Sequence, residues 1–256
     1  MNRRKRLLAV DVGNTSITCG LFEGHRLSAR WQFSTDPIKN KSVKALSLQF
    51  FKGHSLDSGF DVLISSVVPA VMPVLTRMLR FVSGTRPQVV GKDLQVPVIN
   101  RYRVPAQVGP DRLVNAWAAW SLYQGPAIVV DFGTALTIDC VSAKREYLGG
   151  LIVPGVQLAL EALTDRAALL PKLRLAPPKE LLGRDTVSSV RSGIIYGHAA
   201  LCDGIIRQIR RQFRGRVVAT GGQAGLITPY SKTIRKVDPD LTLRGLYLLS
   251  NLSSHL

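Results

Sequence analysis

Asp11 and Asp131 each close an apolar run, and each is followed two residues later by glycine and then by hydroxyl-bearing residues: "LLAVDVGNTSIT" at 7–18 and "IVVDFGTALTID" at 128–139. A carboxylate at a strand end, beside a glycine that lets the backbone turn tightly, is suited to phosphate and metal chemistry. The amides and hydroxyls of "GNTS" (13–16) and "GTA" (133–135) can donate to phosphate oxygens. The carboxylates can hold hydrated magnesium, which takes oxygen ligands and keeps several waters. One such turn is weak evidence, because Asp and Gly are common in ordinary turns. Two in the same register, each between strand-like runs, point to a shared task. A third glycine turn, "VVATGGQAGL" (217–226), follows another buried strand and suits close packing against a nucleotide.

A phosphate-handling site also needs an acceptor side. Asp111 stands in the first turn of an apolar-faced helix, after Gly109 and Pro110. It suits a helix cap, worth roughly 1 kcal/mol, and equally a base that takes the proton of a substrate hydroxyl. Arg112 beside it is a fixed cation suited to a carboxylate- or amide-bearing substrate. His198, alone on an apolar helix, reads as a packed side chain, and Trp117 and Trp120 read as core.

The elements that must position these groups alternate. Strands are expected at 7–14, 16–22, 26–34, 61–68 and 87–91, with helices near 41–51, at 69–82 and at 111–123. After "QGP" (124–126), three strands precede a helix at 156–168, a Pro-rich loop at 171–178 and a long helix at 187–213. The strand "RVVATGG" and a last helix from Thr242 complete the chain. Each half opens with three strands and ends in alternating helices and strands, so the fold class is α/β with an internal duplication. The expected domains are 1–124 and 125–256.

The chain has 256 residues, 46 % apolar and 20 % charged, as in ordinary globular proteins. No run approaches the roughly 20 apolar residues that cross a bilayer. "MNRRKR" precedes only four apolar residues, too few for a signal peptide, so a cytoplasmic location is expected. Cys19, Cys140 and Cys202 are scattered among apolar neighbours, which suits reduced core thiols rather than a disulfide framework or a zinc site. The formal charge of +17 could draw nucleic acid or anionic metabolites. In 201–216, however, arginines occupy the face opposite Leu201, Ile205, Ile209 and Phe213, the pattern of a solvated helix. With no zinc-finger or RNP-type motif, there is no basis for specific nucleic-acid binding.

The layout resembles the actin, hexokinase and Hsp70 class, in which two ribonuclease-H-like domains hold ATP in a cleft between them. Within it, the chain resembles the type III pantothenate kinases, also called Bvg accessory factor-like. The resemblance runs from about Leu7 to the C-terminus. "DVGNT" (11–15), "SSVVP" (65–69), "VGPDRLVNA" (108–116), "DFGTALTID" (131–139), "YLGGLIVPG" (147–155), "GRDTVSSVRSGIIYG" (183–197) and "TGG" (220–222) carry it, in the family's order. It implies phosphorylation of pantothenate by ATP and Mg²⁺, the first step of coenzyme A synthesis, in a homodimer. Asp11, Gly13, Asn14, Thr15, Ser16, Thr18 and Thr134 would bind ATP, with Asp11 meeting magnesium, directly or through water. Asp131 would hold the monovalent cation, K⁺ or NH₄⁺. Tyr102, Gly109, Pro110, Asp111, Arg112 and Thr186 would bind pantothenate, Asp111 being the proton acceptor. Pro110 departs from the alanine usual there, and the basic tail and high charge lie outside the pattern.

The alternatives are a non-catalytic regulatory protein on the same fold, another actin-like phosphotransferase or polyphosphate hydrolase, and a basic nucleic-acid binder. Loss of the acids would mark the first, yet Asp11, Asp111 and Asp131 are all present. ADP release with pantothenate, against sugars, acetate and polyphosphate, separates the second. Salt-dependent DNA retention without turnover would mark the third.

Overall fold

In the computed structural model, residues 6–36, 59–167 and 169–252 are described. The helix expected near 41–51 lies outside them. The chain divides into two compact units. One comprises residues up to Pro97, Val104–Ala118 and the chain from Thr242; the other comprises Val98–Arg103 and Ala119–Leu241.

The first unit is built on a five-stranded sheet of β1 (Arg6–Val12), β2 (Ser16–Glu23), β3 (Arg26–Ser34), β4 (Asp61–Ser66) and β5 (Gln88–Val89). The order is β3-β2-β1-β4-β5. The first three strands form an antiparallel meander, whereas β4 and β5 run parallel to β1. Period-two alternation decides which face each residue meets. Leu8, Val10, Val12, Val62 and Ile64 join a core with Val71, Leu75, Met78 and Leu79. The last three belong to α1 (Met72–Ser83), preceded by a 3-10 turn at Pro69–Val71. Proline is tolerated there because the first amides of a helix have no internal partner. Gly84, at φ 71°, caps the end of α1.

Helix α2 (Pro110–Tyr123) crosses the division between units, Pro110–Ala118 counting with the first. A Cβ on Gly245 of α6 (Leu241–Leu252) would run into Val114 and Ala118 of α2. Leu243 fills the space left by Gly20 of β2, and Tyr247 stacks on Phe22 with ring centroids 4.7 Å apart. The last helix of the chain is thereby part of the first unit.

The second unit repeats the plan. Its sheet holds β6 (Ile99–Asn100), β7 (Ala127–Phe132), β8 (Ala135–Val141), β9 (Glu146–Pro154), β10 (Arg216–Thr220) and β11 (Lys236–Val237), in the order β11-β10-β7-β8-β9-β6. β7, β8 and β9 form the meander, and β10 runs parallel to β7. β9-β8-β7-β10-β11 thus repeats β3-β2-β1-β4-β5, with β6 added at one edge. Its core joins Ile128, Val130 and Phe132 to Ile195, Ala199, Cys202 and Ile206. Those four lie on α4 (Thr186–Ile209), which follows α3 (Val156–Arg166). α4 stops four residues short of the expected end, yet Phe213 still packs on this core. A short α5 (Ala224–Ile227) follows the Gly-Gly turn. All three cysteines are free and buried. Burial, reinforced by Asp11, raises the Cys19 thiol to about 12.

Candidate active site

Asp11 ends β1 and is half-buried. Its sheet neighbours in register are Thr18 on β2 and Ser65 on β4. The turn that follows is tied down. Gly13 N donates to Ser16 O at 2.9 Å, and buried Thr35 donates through its hydroxyl to Gly13 O at 2.8 Å and through its amide to Thr15 O at 3.0 Å. Asn14 and Thr15 are left exposed at the tip. A turn fixed in this way presents amides and hydroxyls without a further ordering cost.

The acceptor turn lies at the same edge of the sheet. Val67, just past β4, donates its amide to Val12 O at 3.1 Å. A Cβ on Gly109 would lie 3.4 Å from Val67 Cγ1 and would collide with Asp111 Oδ1. Gly109 is therefore required so that the Asp111 carboxylate can fold back over the start of α2. Asp111 Oδ1 accepts from the Arg112 amide at 2.8 Å and so occupies one of the free first-turn amides, but from the second helical position and not from the N-cap. Pro110 occupies the first helical position, where a missing N–H costs nothing. Arg112 is buried, only 7 % exposed, so its charge is fixed inside the first unit. The first unit thus brings Asp11 and Asp111 to the carboxyl ends of its parallel strands, the edge where open α/β sheets bind ligands.

The second unit builds a matching edge. Asp131 ends β7, with Thr137 on β8 and buried Thr220 on β10 beside it in register. Gly221 has φ 90°, and a Cβ there would strike Asp131 Oδ1 and the Phe132 backbone. Gly155 is pressed against the carbonyls of Gly133 and Thr134 and donates its amide to Thr134 O at 3.1 Å. Asp131 thus stands beside a turn whose glycines leave its carboxylate uncovered, and a carboxylate oxygen is the kind of donor a hard cation takes. Thr134 is exposed on this turn. Among the described residues no group of three or more His, Cys, Asp or Glu could hold a metal. Single carboxylates such as Asp11 fit magnesium only in the manner that leaves phosphate and water to complete its shell.

Tyr102 follows β6, where a Cβ on Gly149 would lie 3.8 Å from its ring, and that ring is 6.3 Å from the ring of Tyr147. Tyr147 is itself anchored, donating to Asp139 Oδ1 at 2.7 Å. Thr186 is exposed at the first position of α4, where Asp185 and Ser188 form a reciprocal capping box. His198 sits between the carbonyls of Ile194 (2.7 Å) and Pro154 (3.3 Å), a packed side chain. Trp117 is buried, whereas Trp120 is half-exposed, donating to Ala143 O at 3.0 Å under Arg145.

Ser65 and Thr220 were not singled out by the sequence. They occupy equivalent positions, each a hydroxyl on the parallel strand next to a turn aspartate. The Ser65 hydroxyl is buried and has no hydrogen-bond partner among the described residues. The repeat of "SS" and "AT" before the second-strand turns was the available signal, but only the register makes it meaningful.

Residues 7–208 match the type III pantothenate kinase family. A type III pantothenate kinase of Moorella thermoacetica is 44 % identical over 248 residues, covering 95 % of this chain and 98 % of that one. One of Geobacter sulfurreducens is 42 % identical over 248 residues, with 95 % and 97 % covered. Among solved structures, a putative 2-dehydro-3-deoxygalactonokinase protein of Sinorhizobium meliloti aligns at TM-score 0.59 and 12 % identity, over 98 % of this chain and 100 % of that one. MreB 5 of Spiroplasma citri aligns at 0.55 and 6 % identity, over 98 % and 99 %. These two speak for the fold alone, the duplicated ribonuclease-H-like architecture of actin-like ATPases and sugar kinases. With the family match covering most of its length, the chain belongs to the type III pantothenate kinases.

Proposed function

We propose that the protein transfers the γ-phosphoryl group of ATP to the primary alcohol of pantothenate, giving ADP and 4′-phosphopantothenate. The observation that carries this reading is the meeting, at one sheet edge of the first unit, of the fixed Asp11 turn and the Asp111 carboxylate. Asp11, Gly13, Asn14, Thr15, Ser16 and Thr18 bind the ATP phosphates, and Thr134 belongs to the same set of ATP-binding residues. Asp111 accepts the proton of the alcohol as its oxygen bonds to phosphorus and the bond to ADP breaks. Tyr102, Gly109, Pro110, Arg112 and Thr186 bind pantothenate, the buried Arg112 charge being suited to its carboxylate. Magnesium held through Asp11 would offset charge on the transferring oxygens. Asp131, a carboxylate at the matching turn of the second unit, is the place for K⁺ or NH₄⁺.

The domain boundary near 124–125 belongs to this reading, with the last helix serving the first domain. So does a cytoplasmic homodimer: Leu148, Ile152, Leu158, Leu163 and Leu182 of the second unit are exposed, apolar surface of the kind that marks interfaces. No described helix is long and apolar enough to cross a membrane. The test is ADP release with pantothenate against a panel of sugars, acetate and polyphosphate, in potassium and then in sodium. Turnover with pantothenate alone, falling when sodium replaces potassium, is expected. Turnover with a sugar or polyphosphate instead would overturn the reading.

A further inference from the structure

Away from the site above, the first unit carries a basic pocket. Pro73, Thr76, Arg77 and Arg80 of α1 form one wall, and Arg86, Pro87, Val89, Lys92 and Asp93 around the edge strand β5 form the other. Its volume is about 400 Å³, within the range of small-molecule sites. Four cations face one carboxylate, leaving a formal charge of +3. That carboxylate is already engaged on both oxygens. Asp93 Oδ1 takes a hydrogen bond from Arg86 Nη2 at 2.9 Å, and Oδ2 takes one from the Val89 amide at 2.9 Å. Asp93 therefore shapes the β5 turn and positions Arg86, and has little left with which to offset Arg77, Arg80 and Lys92. Those three make no ion pair among the described residues, and all are exposed.

Their placement costs stability in the absence of an anion. Arg77 and Arg80 stand three apart on one helix face, where like charges repel. Only Arg80 lies in the last turn of α1, where a cation is favoured by the helix dipole. The remaining cations gain nothing from that source. Guanidinium groups on both walls match phosphate oxygens, which they bind through paired, charge-assisted hydrogen bonds. Pro73, Pro87 and Val89 supply an apolar floor, so a ligand can be held beside its charged groups.

We propose that this pocket is a second anion site, separate from the Asp11 and Asp111 turns, which binds a soluble small molecule bearing two or more phosphate groups. The pocket's formal charge of +3 exceeds the roughly −1.5 to −2 that a single phosphate group carries. The inference does not depend on which substrate the catalytic site takes.

The test is calorimetric titration of the full chain with inorganic pyrophosphate at low ionic strength. The wild type is compared with Arg77→Gln/Arg80→Gln and with Arg207→Gln/Arg210→Gln, which removes the same charge from the exposed C-terminal end of α4 and the residue that follows it. The wild type should show a binding class that weakens about tenfold or more in the first variant and by no more than about twofold in the second, as expected for the general field alone. Turnover should be the same in all three. Equal weakening in both variants would reduce the pocket to part of the overall positive field, and an unchanged isotherm in the first would remove it altogether; either result overturns the proposal.

Discussion

The proposed function gives Asp111 two physical duties that a single substitution separates. As a cap it needs an oxygen that accepts from the Arg112 amide, 2.8 Å away; as a base it needs a carboxylate that can take a proton. Asp111→Asn keeps the first and removes the second. Turnover should fall about 10²-fold or more while ATP affinity, read by equilibrium titration, changes little. Near-normal turnover would leave Asp111 as a cap. Ser65 offers a complementary case. Its hydroxyl is buried without a partner among the described residues, and an unpaired buried hydroxyl costs a folded protein roughly 1–3 kcal/mol. Ser65→Ala should leave unfolding free energy unchanged or raise it by about 1 kcal/mol, yet lower kcat/KM for ATP, because the hydroxyl stands beside Asp11. A variant less stable than wild type and fully active would show that Ser65 is ordinary core.

At the scale of elements, two junctions hold the second unit in working shape. Gly221, at φ 90°, lies where any Cβ would strike the Asp131 carboxylate. Gly221→Ala combines backbone strain with displacement of that carboxylate and should cost about 2 kcal/mol or more. Thermal unfolding and the potassium dependence of turnover should both shift. Asp203 on α4 ties helix to loop, accepting from the Ser231 and Thr233 hydroxyls at 2.6 and 2.7 Å and from the Lys232 and Thr233 amides at 2.8 and 3.0 Å. Burial acts to raise its pKa, and these hydrogen bonds outweigh it, leaving the group below its ordinary 3.8. A depressed folded value means that its contribution is complete above about pH 4 and is lost as pH falls through the folded value. Asp203→Asn should therefore cost about 2 kcal/mol at neutral pH and much less in strong acid. Urea unfolding at several pH values measures this, and a cost independent of pH would deny the charged carboxylate its role.

At the scale of the whole molecule, the proposed homodimer would cover apolar residues that are exposed on the second unit. Ile152, 64 % exposed on β9, and Leu182, 80 % exposed, are two examples. Ile152→Asp should shift the mass measured by light scattering from dimer toward monomer at micromolar concentration, through the desolvation cost of a buried charge. A wild-type monomer at that concentration would leave these residues unexplained.

The order of elements, the duplicated Asp-x-Gly turns and the acidic helix start were legible from sequence because each rests on local rules: strand alternation, glycine at tight turns, and proline and aspartate at a helix N-terminus. The sequence also named Asp11, Asp111 and Asp131, since chemistry-bearing residues announce themselves by type and spacing. It was silent on β6 and β11, two residues each and too short to show a period. It did not reveal that the last helix packs with the first unit, nor that Ser65 and Thr220 flank the two aspartates. Those facts depend on which strands pair and in what register, and register is fixed by long-range packing of side chains distant in the chain. Spacing along one strand names a residue; only the neighbouring strand decides what stands beside it.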